Sequence, residues 1–282
     1  RISMMGAAMK KKAEAPKRTT VRILHISDTH SLLTEEVIRK LPAADILIHT
    51  GDFTESGNLK EVQEFNKLLS GPLKAKYPHR VVVAGNHDLY HVGNNYKVLK
   101  DTLTGATHFL VHEQAEICGL RVYGAPWWAG HSWDYKTFKN YERKNQPDAA
   151  GFGKIPSNVD LLLTHGPPRG VLDEADGHKG NHSGSRELWG AIVKNTPKVH
   201  LFGHVHEQRG SARVGTISRK STLFVNSSMT DRWKEPKQLQ SAEGSGSWNG
   251  AHLIIATKEQ QEQQQQQQEE DNKKINKAPQ AA

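Results

Sequence analysis

The chain has 282 residues, 35% of them hydrophobic and 24% charged, which is enough to bury a substantial core. No window reaches the ~20 apolar residues of a membrane span. A lone cysteine, Cys118, excludes an intrachain disulfide framework and is consistent with a reducing, cytoplasmic compartment. The net charge is +8, of which the first twenty residues supply +5 and the remainder only +3, so the basicity belongs to a tail and no stable nucleic-acid binding is expected.

In chain order, residues 1–19 read as a disordered basic arm. Val21–Ser27 is the first predicted strand, Thr34–Leu41 a short helix stopped by Pro42, and Asp45–Thr50 the second strand. Asn58 followed by Glu61 opens a helix with Val62, Phe65, Leu68 and Leu69 on one face, and Gly71-Pro72 stops it. Val81–Ala84 is the third strand, and a βαβαβ opening implies a partly parallel sheet covered by helices. A helix follows over Lys97–Thr102, then two β-rich runs close enough to pair, Thr107–His112 and Glu116–Tyr123, the second holding Cys118 as a buried thiol. Pro126–Pro156 is an aromatic-rich irregular segment read as a packed flap. Val159–Thr164 is a strand, Arg186–Lys194 a helix, and Val199–Phe202, Leu223–Asn226 and His252–Thr257 late strands, with Ser241–Gly250 a Gly/Ser-rich connection. The folded part is residues 20–258, one domain, and 259–282 a Gln-rich and charged disordered tail.

Five of these strands end in the same way. Each apolar run gives way at once to Asp, Asn or His: Asp28-Thr29-His30, Gly51-Asp52, Gly85-Asn86-His87-Asp88, His165-Gly166 and Gly203-His204-Val205-His206. Asp28 and His30 alternate, as do His204 and His206, so in extended geometry each pair projects to one side. Any one of these motifs is weak alone. Together they describe carboxylate, amide and imidazole donors delivered to one sheet edge, a set suited to first-row divalent cations.

The order D-x-H, G-D, G-N-H-D, H-G, G-H-x-H resembles the calcineurin-like metallophosphoesterase superfamily over residues 21–258. His25–His30, Ala84–Asp88, Leu163–Pro168 with Leu172-Asp173, Phe202–Glu207 and Val225–Ser228 look like its metallophosphoesterase-domain-containing, brain-protein-type phosphodiesterase subgroup. The resemblance implies a four-layer αββα sandwich, an α/β fold of two mixed β-sheets flanked by helices. It implies one metal held by Asp28, His30, Asp52 and His206 and a second held by Asp52, Asn86, His165 and His204, with Asp52 bridging. Mn²⁺ is the first expectation, with Fe or Zn²⁺ as alternatives. The implied reaction is hydrolysis of a small phosphodiester, a nucleotide and in particular a cyclic nucleotide among the candidates, by a hydroxide bridging the two metals. His87 is the expected proton donor to the leaving oxygen, and Asp88 the group expected to orient it. Ser183-Gly184-Ser185 departs from the Gly-Cys pair common in the subgroup. The alternatives are a phosphomonoesterase or protein Ser/Thr phosphatase, and a scaffold of low activity using the same fold.

Several other residues are given plainer roles. His25 and His49, inside strands, read as satisfied core histidines, and Asp173 as a loop support. His131, His178 and His182 read as surface histidines, Arg143, Arg169 and Arg186 as solvated arginines, and Trp127-Trp128 as flap packing.

Overall fold

The computed structural model describes residues 18–92, 95–126, 151–175, 180–215, 221–230, 247–248 and 251–259. Two six-stranded sheets are present. In the first, β1 (Arg18–Ile26), β2 (Ile46–His49) and β3 (His79–Val82) run parallel, and β4 (His108–Phe109) adds parallel to β3. On the other flank β12 (Ala251–Glu259) neighbours β1 and pairs antiparallel with β11 (Ser247–Trp248). The second sheet has the order β5 (Glu113–Ile117), β6 (Leu120–Ala125), β7 (Leu161–Thr164), β8 (Val199–Phe202), β10 (Ser221–Asn226), β9 (Gly210–Gly215). Its four inner strands are parallel and both edge strands antiparallel.

Each sheet is apolar on both faces, as an inner sheet must be. From the first sheet, Leu24, Ile26, Leu47, Val82 and Ala84 share one core with Ile38 of α1 (Glu35–Lys40), Val62, Phe65 and Leu69 of α2 (Leu59–Ser70), Leu73 of α3 (Pro72–Lys76) and Leu99 of α5 (Tyr96–Thr102). The short α4 (Asn86–Leu89) leads out of β3. From the second sheet, Tyr123, Leu162, Phe202 and Phe224 pack with Leu188 and Ile192 of α6 (Arg186–Asn195). The alternate residues Ile23, Ile46, Ile48, Val81 and Val83, and Val122, Leu161, Leu163, Leu201 and Val225, are just as buried but belong to neither helix-side core. They face one another: a Cβ on Gly124 would touch Leu110 and Val83, and Ser227 Oγ lies 2.6 Å from His25 Nδ1. This is the αββα layering expected.

The helix signals hold. Asn58 caps α2 by accepting from Glu61 N at 3.0 Å, and Glu61 accepts in return from Ser56 N and Gly57 N. Such a cap contributes ~1 kcal/mol. Gly71-Pro72 ends α2, but Pro72, needing no N–H partner in a first turn, starts α3 at once. Elsewhere the structure corrects the reading. Thr107–His112 and Glu116–Tyr123 do not pair: β4 joins the first sheet, while β5 and β6 form a hairpin about Cys118-Gly119. Both turn residues have positive φ (51° and 74°), the combination a two-residue hairpin turn needs, so Cys118 is exposed at a tip and not buried in a strand. β9 and β11 were not anticipated, because alternating Ser, Arg and Gly in β9 and an isolated Ser-Trp pair carry no apolar signal.

Two units are distinguished by contact density. Arg22–Ile255 contains the layered domain. The described part of the other is the outer ends of β1 and β12, so the terminal strands begin at Arg18 and end at Glu259, just beyond the expected limits of 20 and 258. The rest of both expected tails, and residues 127–150 of the expected flap, lie outside the described residues. Among the described residues no helix is long and apolar enough to cross a membrane.

Candidate metal centre

The C-terminal ends of β1, β2, β3, β7 and β8 bring Asp28 and His30, Asp52, Asn86 and His87, His165, and His204 and His206 together. Three groups of these side chains have ligand atoms within 4.8 Å of one another and could each hold a metal ion: Asp28, His30 and His206; His30, Asp52 and His87; Asp52, His165 and His204. His30 and Asp52 each belong to two groups, so the clusters merge into one elongated centre. Asn86 Oδ1 joins it 3.0 Å from His165 Nε2. Asp28 Oδ1 lies 3.2 Å from His206 Nε2, and Asp52 Oδ2 lies 3.3 Å from His165 Nε2 and 3.9 Å from His30 Nε2.

The donors converge by a different route from strand alternation. Asp28, His30, Asp52 and His204 all have positive φ (54°, 42°, 53° and 70°), a region costly for residues with a Cβ. The turns are held there by a ladder: Asp28 N donates to Gly51 O at 2.9 Å, His30 N to Asp52 O at 2.9 Å and Ser31 N to Phe53 O at 3.0 Å. His204 and His206 consequently do not share a face but reach different clusters. Gly85 was expected to ease a sharp turn, yet its φ of −101° suits any residue. Its role is clearance, since a Cβ there would collide with the Asp52 carboxylate, as one on Gly203 would with the Asp28 carboxylate.

The imidazoles are oriented from behind. A carbonyl can only accept, so His165 Nδ1, 2.9 Å from Thr50 O, and His87 Nδ1, 2.5 Å from Glu55 O, must carry protons. His206 Nδ1 lies 3.4 Å from Thr230 Oγ1. Nε2 is thereby the nitrogen that His165 and His206 present to the aspartates. His25 and His49 are satisfied core histidines, as expected, but they also brace the ligand turns. His49 Nε2 lies 3.0 Å from Thr29 Oγ1 and its Nδ1 accepts from Gly51 N, while His25 lies between Thr50 and Ser227.

Charge is concentrated, and Asp28, His30, Asp52 and His165 are buried. Burial holds His30 down to about 4, and His204 and His49 down to about 3. Burial also opposes protonation of His165, but the Asp52 carboxylate outweighs it and lifts the ring to about 9. Asp28 and Asp52 sit low despite burial, because His206 and His165 respectively face them. Two buried carboxylates are thus compensated by imidazoles. Both His30 ring nitrogens are buried and neither meets hydrogen-bond geometry with a protein partner. Buried polar atoms left this way are costly, and a bound cation would relieve it at Nε2. The donor set of two carboxylates, one amide and four imidazoles fits a first-row divalent ion.

Asp88 does not orient the His87 ring. It is buried and its carboxylate accepts from Asp52 N (2.8 Å), Gly85 N (2.8 Å), Thr54 N (2.9 Å) and Thr54 Oγ1 (2.7 Å), clamping the Asp52 turn to the Asn86 turn. Four donors fill its acceptor sites, and burial, then Asp52, raise it to about 7. The ring of His87 takes its orientation from Glu55 instead.

A sixth strand end was missed as part of the site. After β10, Ser228 Oγ lies 2.9 Å from Asp28 Oδ2 and Thr230 Oγ1 donates to Asp28 O at 2.9 Å, while Asn226 ties the turn to Val205 O. The Asn-x-Ser element at a parallel strand end was the available signal. Asp173 supports its loop as expected, accepting from Gly170 N and Gly184 N and lying 2.8 Å from His182 Nδ1. Arg169 donates to His182 O. His131, Arg143, His178 and Trp127-Trp128 lie outside the described residues.

A parallel-strand edge lined with Asp, His and Asn donors is the architecture of a metal-binding protein, and sequence comparison identifies the family. Residues 21–208 match the calcineurin-like phosphoesterase family, and the chain belongs to that family of metal-dependent phosphoesterases. It is 34% identical to human metallophosphoesterase domain-containing protein 1 over 77% of this chain and 68% of that one. It is likewise 34% identical to the UPF0046 protein C25E10.12 of Caenorhabditis elegans, over 75% of this chain and 76% of that one. A solved structure described as a novel archaeal phosphodiesterase aligns over 83% of this chain and 99% of that one, with 18% identity and a TM-score of 0.38.

Proposed function

We propose that this chain is a dinuclear metal-dependent phosphodiesterase acting on small diesters, with cyclic nucleotides the first class to test. The observation carrying the dinuclear reading is the overlap of the clusters: His30 is common to the group with Asp28 and His206 and the group with Asp52 and His87, and Asp52 is common to that second group and the one with His165 and His204. Asp28, His30, Asp52 and His206 would hold one ion, and Asp52, Asn86, His165 and His204 the other, with Mn²⁺ favoured over Fe or Zn²⁺. When bound, the ions would neutralise phosphate oxygens and lower the pKa of a water they hold.

The remaining chemistry belongs to the chain. Asp52 and Asp28 set the negative charge, and the turns that carry them are fixed by backbone ladder and Asp88 clamp before substrate arrives, which is preorganisation. His87, with its Nδ1–H committed to the Glu55 carbonyl, would enter the reaction as the imidazolium, give its Nε2 proton to the departing alkoxide and be left as the neutral Nδ1–H ring. The preference for diesters rests on the sequence resemblance to the phosphodiesterase subgroup. Rates on bis(p-nitrophenyl) phosphate and p-nitrophenyl phosphate with added Mn²⁺ test it. Faster diester turnover is expected, and turnover of the monoester alone would replace this reading with a phosphomonoesterase.

A further inference from the structure

We propose that Glu55 is a positioning residue that sets the tautomer of His30 through its side chain and that of His87 through its backbone, so that both rings present Nε2 to the centre. This rests on the reading of His30 as a ligand and His87 as the proton donor. Glu55 lies three residues beyond Asp52, on the turn that ladders against Asp28–Ser31, and its own N–H donates to Ser31 Oγ at 3.2 Å. Its Oε2 is buried although the side chain as a whole is 38% exposed, and it stands 3.3 Å from His30 Nδ1. Its carbonyl oxygen lies 2.5 Å from His87 Nδ1. The two rings meet edge to face with centroids 4.6 Å apart, so one residue stands behind both members of a contacting pair.

The two contacts differ in kind. The carbonyl is a permanent acceptor that no side-chain change at Glu55 removes, so His87 keeps its proton on Nδ1 whatever stands there. The carboxylate is a negative charge 3.3 Å from Nδ1 of a buried ring, short of hydrogen-bond geometry, and its field favours the proton on Nδ1, leaving the Nε2 lone pair toward Asp52. A carboxylate behind a ligating imidazole fixes ring orientation and raises ligand basicity. Without it, a neutral His30 facing Asp28 and Asp52 gains by placing its proton on Nε2, pointed at those carboxylates, which blocks the nitrogen the ion needs.

The test uses the full chain labelled with ¹⁵N-histidine and freed of metal, where long-range ¹H–¹⁵N spectra report each tautomer directly. Wild type is expected to show His30 as Nδ1–H. Glu55→Ala should convert His30 wholly or partly to Nε2–H with His87 unchanged, and Glu55→Gln, which keeps an acceptor in place, should restore Nδ1–H. Calorimetric Mn²⁺ affinity should fall about tenfold to a hundredfold in Glu55→Ala and much less in Glu55→Gln. An unchanged His30 tautomer in Glu55→Ala, or the same Mn²⁺ affinity as wild type, would overturn the proposal. Failure of the wild type itself to bind Mn²⁺ would instead strike the proposed function, while the tautomers of the metal-free protein would still decide the role of Glu55.

Discussion

His87 and Asp88 are neighbours with unrelated tasks. Asp88 spends its carboxylate on backbone N–H groups of two turns, whereas His87 is proposed to use Nε2 for proton transfer. His87→Ala should therefore lower kcat on diesters by about 10²–10⁴-fold, more for poor leaving groups than for p-nitrophenolate, with Mn²⁺ affinity retained. Equal loss for all leaving groups, measured across a series of substituted phenyl esters, would remove it from that role. Gly203 makes a steric prediction. A Cβ there would overlap the Asp28 carboxylate, so Gly203→Ala should weaken Mn²⁺ binding in a titration while circular dichroism shows the fold intact. The seven candidate ligands were legible as residue types at strand ends. Their left-handed backbone was not, because Asp and His at such φ values carry no pattern and are held there by contacts 20 or more residues away, as between Asp28 and Gly51.

At the scale of elements, parallel strands need tying where they begin as well as where they end in a site. Asp160 does this for three strands: its carboxylate takes Arg121 and Lys198, and its backbone pairs with Arg121 O and Val199 N. Burial would raise the Asp160 carboxyl, but hydrogen bonds from Arg121 and Lys198 outweigh this and hold it at about 2. A carboxylate depressed on folding stabilises above its unfolded pKa and loses that contribution as pH falls through the folded value. The stability gap between wild type and Asp160→Asn should be on the order of 1 kcal/mol at pH 7, because both cations are partly exposed, and should shrink between pH ~4 and ~2. Urea midpoints at several pH values check this, and a gap independent of pH would contradict it. The strands feeding the site were readable because buried parallel strands are continuous apolar runs. The edges were not: β9 presents Arg, Ser and Gly, and the β5–β6 turn rests on Cys118 at positive φ, where Asn or Gly would be the usual signal.

Across the whole layered domain, six parallel strand ends from two sheets meet at one edge. This is why residues as distant in sequence as Asp28 and Ser228 are in contact. The fold class was legible, since repeated strand–donor units admit few arrangements. Glu55 and Thr230 were not legible as members of the site, because ordinary polar residues acquire meaning only from the groups they touch. Placing both proposed ions at this edge makes Asp52 their shared ligand. Anomalous diffraction at the manganese edge from crystals equilibrated with Mn²⁺ tests it directly. Two peaks are expected, one among Asp28, His30, Asp52 and His206 and one among Asp52, Asn86, His165 and His204, and a single peak, or peaks away from Asp52, would rule out a shared two-ion centre.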